Sequence, residues 1–188
     1  MKLIFIRHGQ TDWNLQGKIQ GSYDSELNEI GMKQATELSE KLIKLNYKFK
    51  KIYTSPQKRA LKTAKILSDS SKVPYIIIEN LKEINMGKWE GLSWGEVENN
   101  YPIEYKNWKE NRKDVPPPNG ESYEHMLYRV LGSLHKIIKE NTDDVVIVAH
   151  SAIIMCLQCY ITNTPFNKML KFKTSNAEIT EIDSELFI

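Results

Sequence analysis

The sequence contains few arginines, few cysteines and no long apolar run. Only four of its 26 basic residues are arginine, namely Arg7, Arg59, Arg112 and Arg129. Because only arginine presents a planar fork of donors to an oxyanion, each of the four is a candidate anion ligand. The first apolar run, Leu3–Ile6, is stopped by Arg7 and is too short for a signal peptide or a membrane span. We therefore expect a cytoplasmic protein that makes no contact with a membrane.

The two cysteines, Cys156 and Cys159, form one Cys-x-x-Cys pair, and the chain has no second pair. Their neighbours are apolar, which favours a buried helix over a redox pair or a metal site. The four histidines, at positions 8, 125, 135 and 150, lack the spacing of metal ligands, and no Gly-x4-Gly-Lys-Ser/Thr loop is present. The sequence therefore predicts no metal and no other cofactor, and its cysteine usage is typical of a reducing compartment.

Positive and negative residues are interspersed along the chain, and the net charge is only +2. Because no block of one sign is present, we expect no nucleic-acid partner. A length of 188 residues suits one domain, since domains commonly contain roughly 100–200 residues. We predict a single domain over residues 1–188, as a monomer or a homodimer.

Short β-branched or aromatic runs alternate with helical patterns. The predicted strands are Lys2–Ile6, Lys51–Thr54, Tyr75–Ile78 and Asp144–Ala149, with a weaker pair at Met169–Lys173 and Glu178–Asp183. The predicted helices are Glu29–Leu45, a second with Ser55 as its cap and Pro56 as its first residue, Ser122–Glu140 and Ala152–Ile161. This alternation predicts an α/β fold with a mostly parallel sheet that carries helices on both faces.

Polar residues follow each of the four main strands, and ligands bind beyond the carboxyl ends of parallel strands. These residues are Arg7 and His8, then Ser55 and Arg59, then Glu83, and finally His150. We expect their side chains to share one edge of the sheet. The segment of about 94–120 lacks strand signals and is predicted to cover that edge as an insertion of short helices and loops. Within it, Trp108, Arg112 and Pro116–Pro118 are candidates for contact with the variable part of a substrate.

The residue types at this edge favour phosphoryl chemistry. Two arginines can grip a tetrahedral oxyanion bidentately, and the start of the helix that carries Arg59 favours phosphate. Gly9 and Gly21 would let the backbone approach the same anion. A neutral imidazole can attack phosphorus, and a second imidazole can donate to the oxygens where negative charge accumulates.

A carboxyl group would complete the set, because a departing alkoxide needs a proton. Glu83, in "LKEINMGKWEG", could donate that proton and then take one from the incoming water. Its apolar neighbours would desolvate it and raise its pKa, as a general acid requires. The spacing leaves the nearby Glu90 as an alternative.

Six motifs in order resemble the histidine phosphatase superfamily, also called the phosphoglycerate-mutase-like family. They are "RHGQTDWN", "GSYDSELNEIG", "YTSPQKRALKTA", "LKEINMGKWEG", "PNGESY" and "VVIVAHSA", and they extend from Leu3 to about Ile154. The resemblance implies a three-layer α/β/α sandwich with the first strand central, no metal requirement and a small phosphorylated metabolite as substrate.

The same resemblance implies a role for each site residue. His8 would be the phosphorylated nucleophile and Glu83 the proton donor, while Arg7, Arg59 and His150 would form the phosphate pocket. Further contacts on the phosphate side would come from Asn14, Gln20 and Gly21. The family often has glycine after the second histidine, where this chain has Ser151, whose backbone N–H keeps the substrate-binding position while its side chain narrows the pocket.

A second departure bears on the reaction. The mutases of the family carry arginine after the catalytic glutamate, whereas this chain has Ile84 and a shorter insertion. The "LKEINMGKWEG" form is similar to the phosphatase branch, including broad-specificity and alpha-ribazole phosphatases. The leading interpretation is a phosphomonoesterase that works through a phosphohistidine. The alternatives are a cofactor-dependent phosphoglycerate mutase and an inactive module that binds phosphorylated ligands.

Overall fold

The computed structural model describes residues 1–187, which contain a five-stranded sheet. Its strands are β1 (Lys2–Arg7), β2 (Ile52–Thr54), β3 (Tyr75–Ile77), β4 (Val145–Ala149) and β5 (Ile179–Asp183). The strand order is β3-β2-β4-β1-β5, with β5 antiparallel to β1 and every other pair parallel. The mostly parallel sheet predicted from the sequence is therefore confirmed.

The prediction that the first strand is central is wrong. The middle position belongs to β4, and β1 lies between β4 and β5. All five residues of β4 are buried, whereas β1 is exposed at its first residue. The most uniformly apolar strand therefore occupies the position that is most completely covered.

Helices pack on both faces of the sheet. They are α1 (Asp12–Leu15), α2 (Glu29–Lys44), α3 (Lys58–Ser71), α4 (Trp94–Asn100), α5 (Pro102–Glu110), α6 (Tyr123–Lys139) and α7 (Ser151–Ile161). Shorter 3-10 helices span Glu79–Leu81, Gly87–Trp89, Phe166–Phe172 and Ser184–Phe187. Alternate residues of β1 enter two separate cores, with Ile4 and Ile6 packing with residues of α2 and α3, and Leu3 and Phe5 with residues of α6 and α7. This arrangement is the expected three-layer α/β/α sandwich.

One predicted strand, Met169–Lys173, lies mostly in the 3-10 helix Phe166–Phe172. Its apolar residues Phe166, Met169 and Phe172 are three apart, and all three pack against the core. A spacing of three places them on one face of a 3-10 helix, whereas a strand would need a spacing of two.

The predicted start of the second helix is also wrong. Helix α3 begins at Lys58 with Gln57 as N-cap, so Ser55 and Pro56 precede it. The Ser55 hydroxyl is engaged elsewhere, since it lies 2.8 Å from His150 Nε2 and accepts a 3.3 Å bond from the Gln57 amide. The segment between β2 and α3 is thus shaped by a contact to the end of β4.

Helix α7 carries both cysteines, Cys156 and Cys159, which are free and buried among apolar side chains as predicted. Within residues 1–187, the structure contains no helix with the length and apolar character needed to cross a membrane.

The loop after β1 lies in direct backbone contact with the start of α2. A Cβ on Gly31 would lie 2.0 Å from the Gln10 carbonyl oxygen, and one on Gly9 would lie 2.4 Å from the Gly31 carbonyl oxygen. Glycine at both positions therefore allows the segment that follows His8 to rest on a helix.

We predict that Gly31→Ala lowers the free energy of unfolding by about 1–3 kcal/mol, because two backbones must separate. The matched control is Gly132→Ala in α6, where a Cβ would meet nothing within 4 Å. That change should raise stability by about 0.5–1 kcal/mol, since alanine favours helix. Urea unfolding of both variants measures the difference, and equal stabilities would contradict the prediction.

Candidate active site

A cavity of about 190 Å³ lies at the carboxyl ends of the parallel strands. The polar side chains predicted to converge there do so. Its lining consists of Arg7, His8, Asn14, Lys18, Ile19, Gln20, Gly21, Arg59, Glu83, Ile84, Met86, Trp94, Tyr123, Ser151, Ala152 and Met155. His150 lies directly behind this wall, with its ring centroid 5.2 Å from that of His8. The sheet edge therefore gathers residues that are far apart in sequence, as expected for a mostly parallel fold.

His8 is held in a defined tautomer by the backbone. Its Nδ1 lies 2.7 Å from the Gly9 carbonyl oxygen, which can only accept, so Nδ1 carries the proton. Its Nε2 is then unprotonated and accepts a 3.2 Å bond from Arg59 Nε. Burial, followed by the charges of Arg59 and Arg7, lowers the pKa of His8 well below its ordinary value of 6.5. The side chain is a neutral imidazole with its basic nitrogen beside a guanidinium.

The two arginines of the cavity are fixed by backbone carbonyls. Arg59 donates to Tyr23 O at 2.6 Å and to Gly21 O at 2.8 Å, while Arg7 donates to Thr174 O at 2.6 Å. Burial lowers the pKa of Arg59 to about 10, which leaves it charged at neutral pH. Neither arginine forms a salt bridge within residues 1–187, so the cavity has two cations suited to an anion.

His150 is fully buried, and its Nε2 contacts the Ser55 hydroxyl at 2.8 Å. Its Nδ1 has no hydrogen-bond partner among residues 1–187. Burial, then Arg59 and His8, lowers the pKa of this imidazole well below 6.5. The ring is thus neutral, with one nitrogen occupied by a hydroxyl and the other still able to bind.

Glu83 faces the cavity from the loop that follows β3. Its two oxygens accept 3.0 Å bonds from the backbone amides of Ile84 and Ala152, and Ala152 lies in the first turn of α7. Burial raises the pKa of Glu83, and those two amides and the Arg59 charge oppose the rise. A carboxyl group with a raised pKa is suited to proton transfer.

Comparison with known proteins assigns the family. The profile of the histidine phosphatase superfamily (branch 1) matches residues 3–185. The chain belongs to this superfamily.

Similar proteins agree with this assignment. Phosphoserine phosphatase 1 of Hydrogenobacter thermophilus is 32% identical over 186 residues, which cover 98% of this chain and 87% of that protein. A solved phosphoserine phosphatase from Entamoeba histolytica, in complex with 3-phosphoglyceric acid, has a TM-score of 0.83 and 34% identity, covering 96% of this chain and 89% of that one. The alpha-ribazole phosphatase of Shigella flexneri has a TM-score of 0.84 and 26% identity, covering 97% and 90%. This histidine phosphatase is accordingly a phosphoric monoester hydrolase, and the predicted fold and family are confirmed.

Two residues predicted on the phosphate side, Asn14 and Gln20, both form hydrogen bonds with Thr11. Asn14 Oδ1 accepts from the Thr11 amide at 3.2 Å and from Asn176 Nδ2 at 3.1 Å. The NH₂ group of Asn14 therefore points away from these two donors. Gln20 Oε1 accepts from the Thr11 and Ser25 hydroxyls. Both side chains line the cavity, and their amide NH₂ groups remain as donors.

Four further positions named from the sequence remain. The Gly21 carbonyl accepts from Arg59 and, at 3.1 Å, from Gln57 Nε2, while Ser151 lines the cavity as the first residue of α7. Gly9 makes the contact with α2 described above and is absent from the lining of the cavity, and its amide donates to Thr63 Oγ1 at 3.1 Å, so its approach to an anion stays a prediction. The alternative acid, Glu90, accepts from the Ser22 amide, the Ser22 hydroxyl and the Met86 amide at 2.7–3.0 Å. It joins two loops and is absent from the lining of the cavity.

The sequence reasoning missed the support given by the segment before β5. Asn176 Nδ2 donates to the His8 carbonyl at 3.0 Å, and the Ala177 amide donates to the Arg7 carbonyl at 3.0 Å. These bonds fix the backbone of Arg7 and His8, while the Thr174 carbonyl holds the Arg7 side chain. An irregular segment almost 170 residues away leaves no periodic signal, so only the fold reveals it.

From the segment 94–120, Trp94 lines the cavity. Trp108 is buried in an aromatic cluster and stacks against Trp94, with 5.3 Å between ring centroids, and Arg112 lies 4.2 Å above Trp108. Trp108, Arg112 and Pro116–Pro118 do not line the cavity, in contrast to their prediction as substrate contacts. Trp108 instead supports Trp94 from behind, and Arg112 covers Trp108.

We predict that His8 and His150 stay neutral between about pH 8 and pH 6, because burial and nearby guanidinium charges oppose protonation. Nitrogen-15 NMR of the ring nitrogens measures this, with assignments from His8→Gln and His150→Gln. Neither ring should show the shift of an imidazolium as the pH falls. A protonation midpoint inside this range for either ring would contradict the prediction.

Proposed function

We propose that this histidine phosphatase is a metal-independent phosphomonoesterase that acts through a phosphohistidine on His8. The observation that carries the proposal is the state of His8, which is neutral, with Nδ1 donating to a backbone carbonyl and Nε2 unprotonated beside Arg59. An imidazole held in this way has its lone pair available to an electrophile in the cavity.

In the first step, His8 Nε2 attacks phosphorus as the bond between phosphorus and the ester oxygen breaks. Arg59 exchanges its bond with His8 for a phosphate oxygen, and Arg7 and the free Nδ1 of His150 bind the other oxygens, where negative charge accumulates. Glu83, in its acid form, gives its proton to the departing alkoxide. The products are an alcohol, a phosphohistidine and an ionised Glu83.

In the second step, the Glu83 carboxylate takes a proton from a water molecule as that water attacks phosphorus. The bond between phosphorus and Nε2 breaks, which releases inorganic phosphate and restores neutral His8 and the protonated Glu83. The raised pKa of Glu83 suits both halves of this cycle.

We predict that phosphatase activity persists in excess chelator and that His8→Ala lowers it by at least about 10³-fold. The same change should abolish an acid-labile phosphoenzyme, trapped by rapid quenching with a labelled substrate. His125→Ala is the control, since His125 is exposed at the start of α6. Loss of activity in chelator, or a phosphoenzyme that survives in His8→Ala, would contradict the proposal.

Ile84 lines the cavity next to Glu83, where the mutases carry arginine, and this favours hydrolysis over mutase chemistry. We also propose that residues 1–188 act as one domain whose segment 94–120 forms the outer wall of the site. The position of Trp94 in the lining supports this.

We propose further that the substrate is a small phosphoester whose alcohol carries a carboxylate. The cavity, at about 190 Å³, is smaller than the roughly 300–1,000 Å³ of common ligand pockets. Lys18 is a third cation in its lining, and it pairs through its backbone with Ser93, the cap of α4. The relatives named phosphoserine phosphatase, and the solved complex with 3-phosphoglyceric acid, bind phosphoesters of this kind.

We predict that Lys18→Met lowers kcat/KM for phosphoserine or 3-phosphoglycerate by about fivefold to tenfold, the value of one partly exposed charged hydrogen bond. Glycerol 3-phosphate, whose alcohol is neutral, should be hydrolysed as by the wild type. Lys88→Met is the control, because Lys88 is exposed and outside the cavity. An equal effect on acidic and neutral substrates would refute this role of Lys18.

A further inference from the structure

Arg129 grips the loop that carries Glu83, although it lies outside the lining of the cavity. From the middle of α6, it donates to the carbonyl oxygens of Asn80 at 2.6 Å, Lys82 at 2.8 Å and Glu83 at 3.3 Å. Three carbonyls, one from the 3-10 helix Glu79–Leu81 and two from the loop after it, thus share a single guanidinium. These carbonyls have no partner in a strand or an α-helix, and a backbone carbonyl needs a hydrogen-bond partner. The guanidinium therefore fixes the backbone conformation of this segment.

Glu121 holds the same guanidinium from the other side. Its oxygens accept from Arg129 Nε at 2.7 Å and Nη2 at 2.8 Å, a bidentate ion pair in which both side chains are only about one-fifth exposed. Glu121 Oε2 also accepts a 3.4 Å bond from the Asn85 amide. The pair therefore contacts backbone on both sides of Glu83, and its planar geometry resists rotation.

The Glu83 side chain extends from this loop toward the cavity, where the backbone amides of Ile84 and Ala152 donate to its two oxygens. Its own amide donates to Gln57 Oε1 at 2.7 Å. Gln57 and Arg129 hold the backbone of one residue from two directions. A general acid that is displaced by about 1 Å can lose a large part of its effect, so such support has a catalytic consequence.

We propose that Arg129 and Glu121 form a positioning pair that sets Glu83 for proton transfer to the leaving group. The inference rests on the proposed role of Glu83 as general acid. Neither member of the pair touches the substrate site, since both act through the backbone of residues 80–85.

A difference between substrates separates positioning of the acid from general structural support. An alkyl phosphate expels an alkoxide and needs the proton of Glu83, whereas p-nitrophenyl phosphate expels a stable phenolate and needs it little. Because kcat/KM reports steps only up to release of the alcohol, the later activation of water does not enter the comparison. A variant that disturbs the acid alone should therefore lose activity on the alkyl phosphate and keep its activity on the aryl phosphate.

The experiment measures kcat/KM for both substrates, using as alkyl phosphate whichever of phosphoserine, 3-phosphoglycerate and glycerol 3-phosphate the wild type hydrolyses fastest. Glu83→Gln sets the scale, with an expected loss of about 10²–10⁴-fold on the alkyl phosphate and little change on the aryl phosphate. Arg129→Met should lower kcat/KM by about tenfold to a hundredfold for the alkyl phosphate and by less than about threefold for the aryl phosphate. Lys136→Met, an exposed change on the same helix, should alter neither.

Coupling within the pair gives a second readout. Glu121→Gln should show the same substrate difference to a smaller degree, and Glu121→Gln with Arg129→Met should be no worse than Arg129→Met alone, because the two side chains act as a unit. Additive losses in the double variant would show that they act separately and would overturn the proposal of a pair.

Failure of this proposal is distinguishable from failure of the proposed function. Suppose that Glu83→Gln shows the substrate difference. If Arg129→Met then lowers kcat/KM equally for both substrates, Arg129 is structural, and if it lowers neither, Arg129 is dispensable. Either result shows that the positioning role is wrong. If Glu83→Gln itself shows no substrate difference, the assignment of the general acid fails first, and the positioning role fails with it.

Discussion

The site depends on the burial of one guanidinium that has no carboxylate partner in the described chain. Arg59 is 1% exposed, and its donors reach two backbone carbonyls and the unprotonated nitrogen of His8. Carbonyl dipoles satisfy the hydrogen-bonding groups but do not neutralise the charge, which burial makes costly. A phosphate group in the cavity would supply the missing negative charge. The way the chain buries this residue therefore makes the cavity suited to an anion.

The same low-polarity surroundings tune the other reacting groups in opposite directions. Burial lowers the pKa of His8 and of His150, and it raises that of Glu83. The imidazoles are therefore neutral while the carboxyl group can hold a proton, so one environment provides both the nucleophile and the acid that the proposed mechanism needs. The amides on Glu83 and the charge of Arg59 limit the rise of its pKa, so the carboxyl group can also ionise, as the proposed mechanism requires.

The sequence indicates those features that follow from strand periodicity. Arg7, His8 and His150 come directly after apolar runs, and a parallel sheet brings the ends of such runs together. What the sequence does not reveal are contacts between irregular segments, such as Asn176 with the His8 carbonyl or Ser55 with His150. A hydroxyl beside a proline has the local pattern of a helix cap, and only the position of β4 shows that this hydroxyl meets an imidazole. The contact between Ser55 and His150 therefore explains why the sequence placed the start of α3 too early.

The loop that follows Glu83 is held by a second contact besides the ion pair of Arg129 and Glu121. Gly87 has a φ of +54°, and a Cβ there would lie 2.2 Å from the Pro118 carbonyl oxygen, while one on Gly120 would lie 2.6 Å from the Asn85 carbonyl oxygen. The loop that follows Glu83 and the loop that precedes Glu121 thus pack backbone against backbone. Gly87 on one loop and Gly120 on the other permit this close approach. Because Glu121 follows directly, the short "PNGES" stretch both places the carboxylate on Arg129 and closes the loop that follows Glu83. The stretch therefore holds the loop that follows Glu83 from outside the cavity, although it contributes no side chain to the lining. If Glu83 is the general acid as proposed, this explains why a stretch without a reacting side chain accompanies the proposed nucleophile.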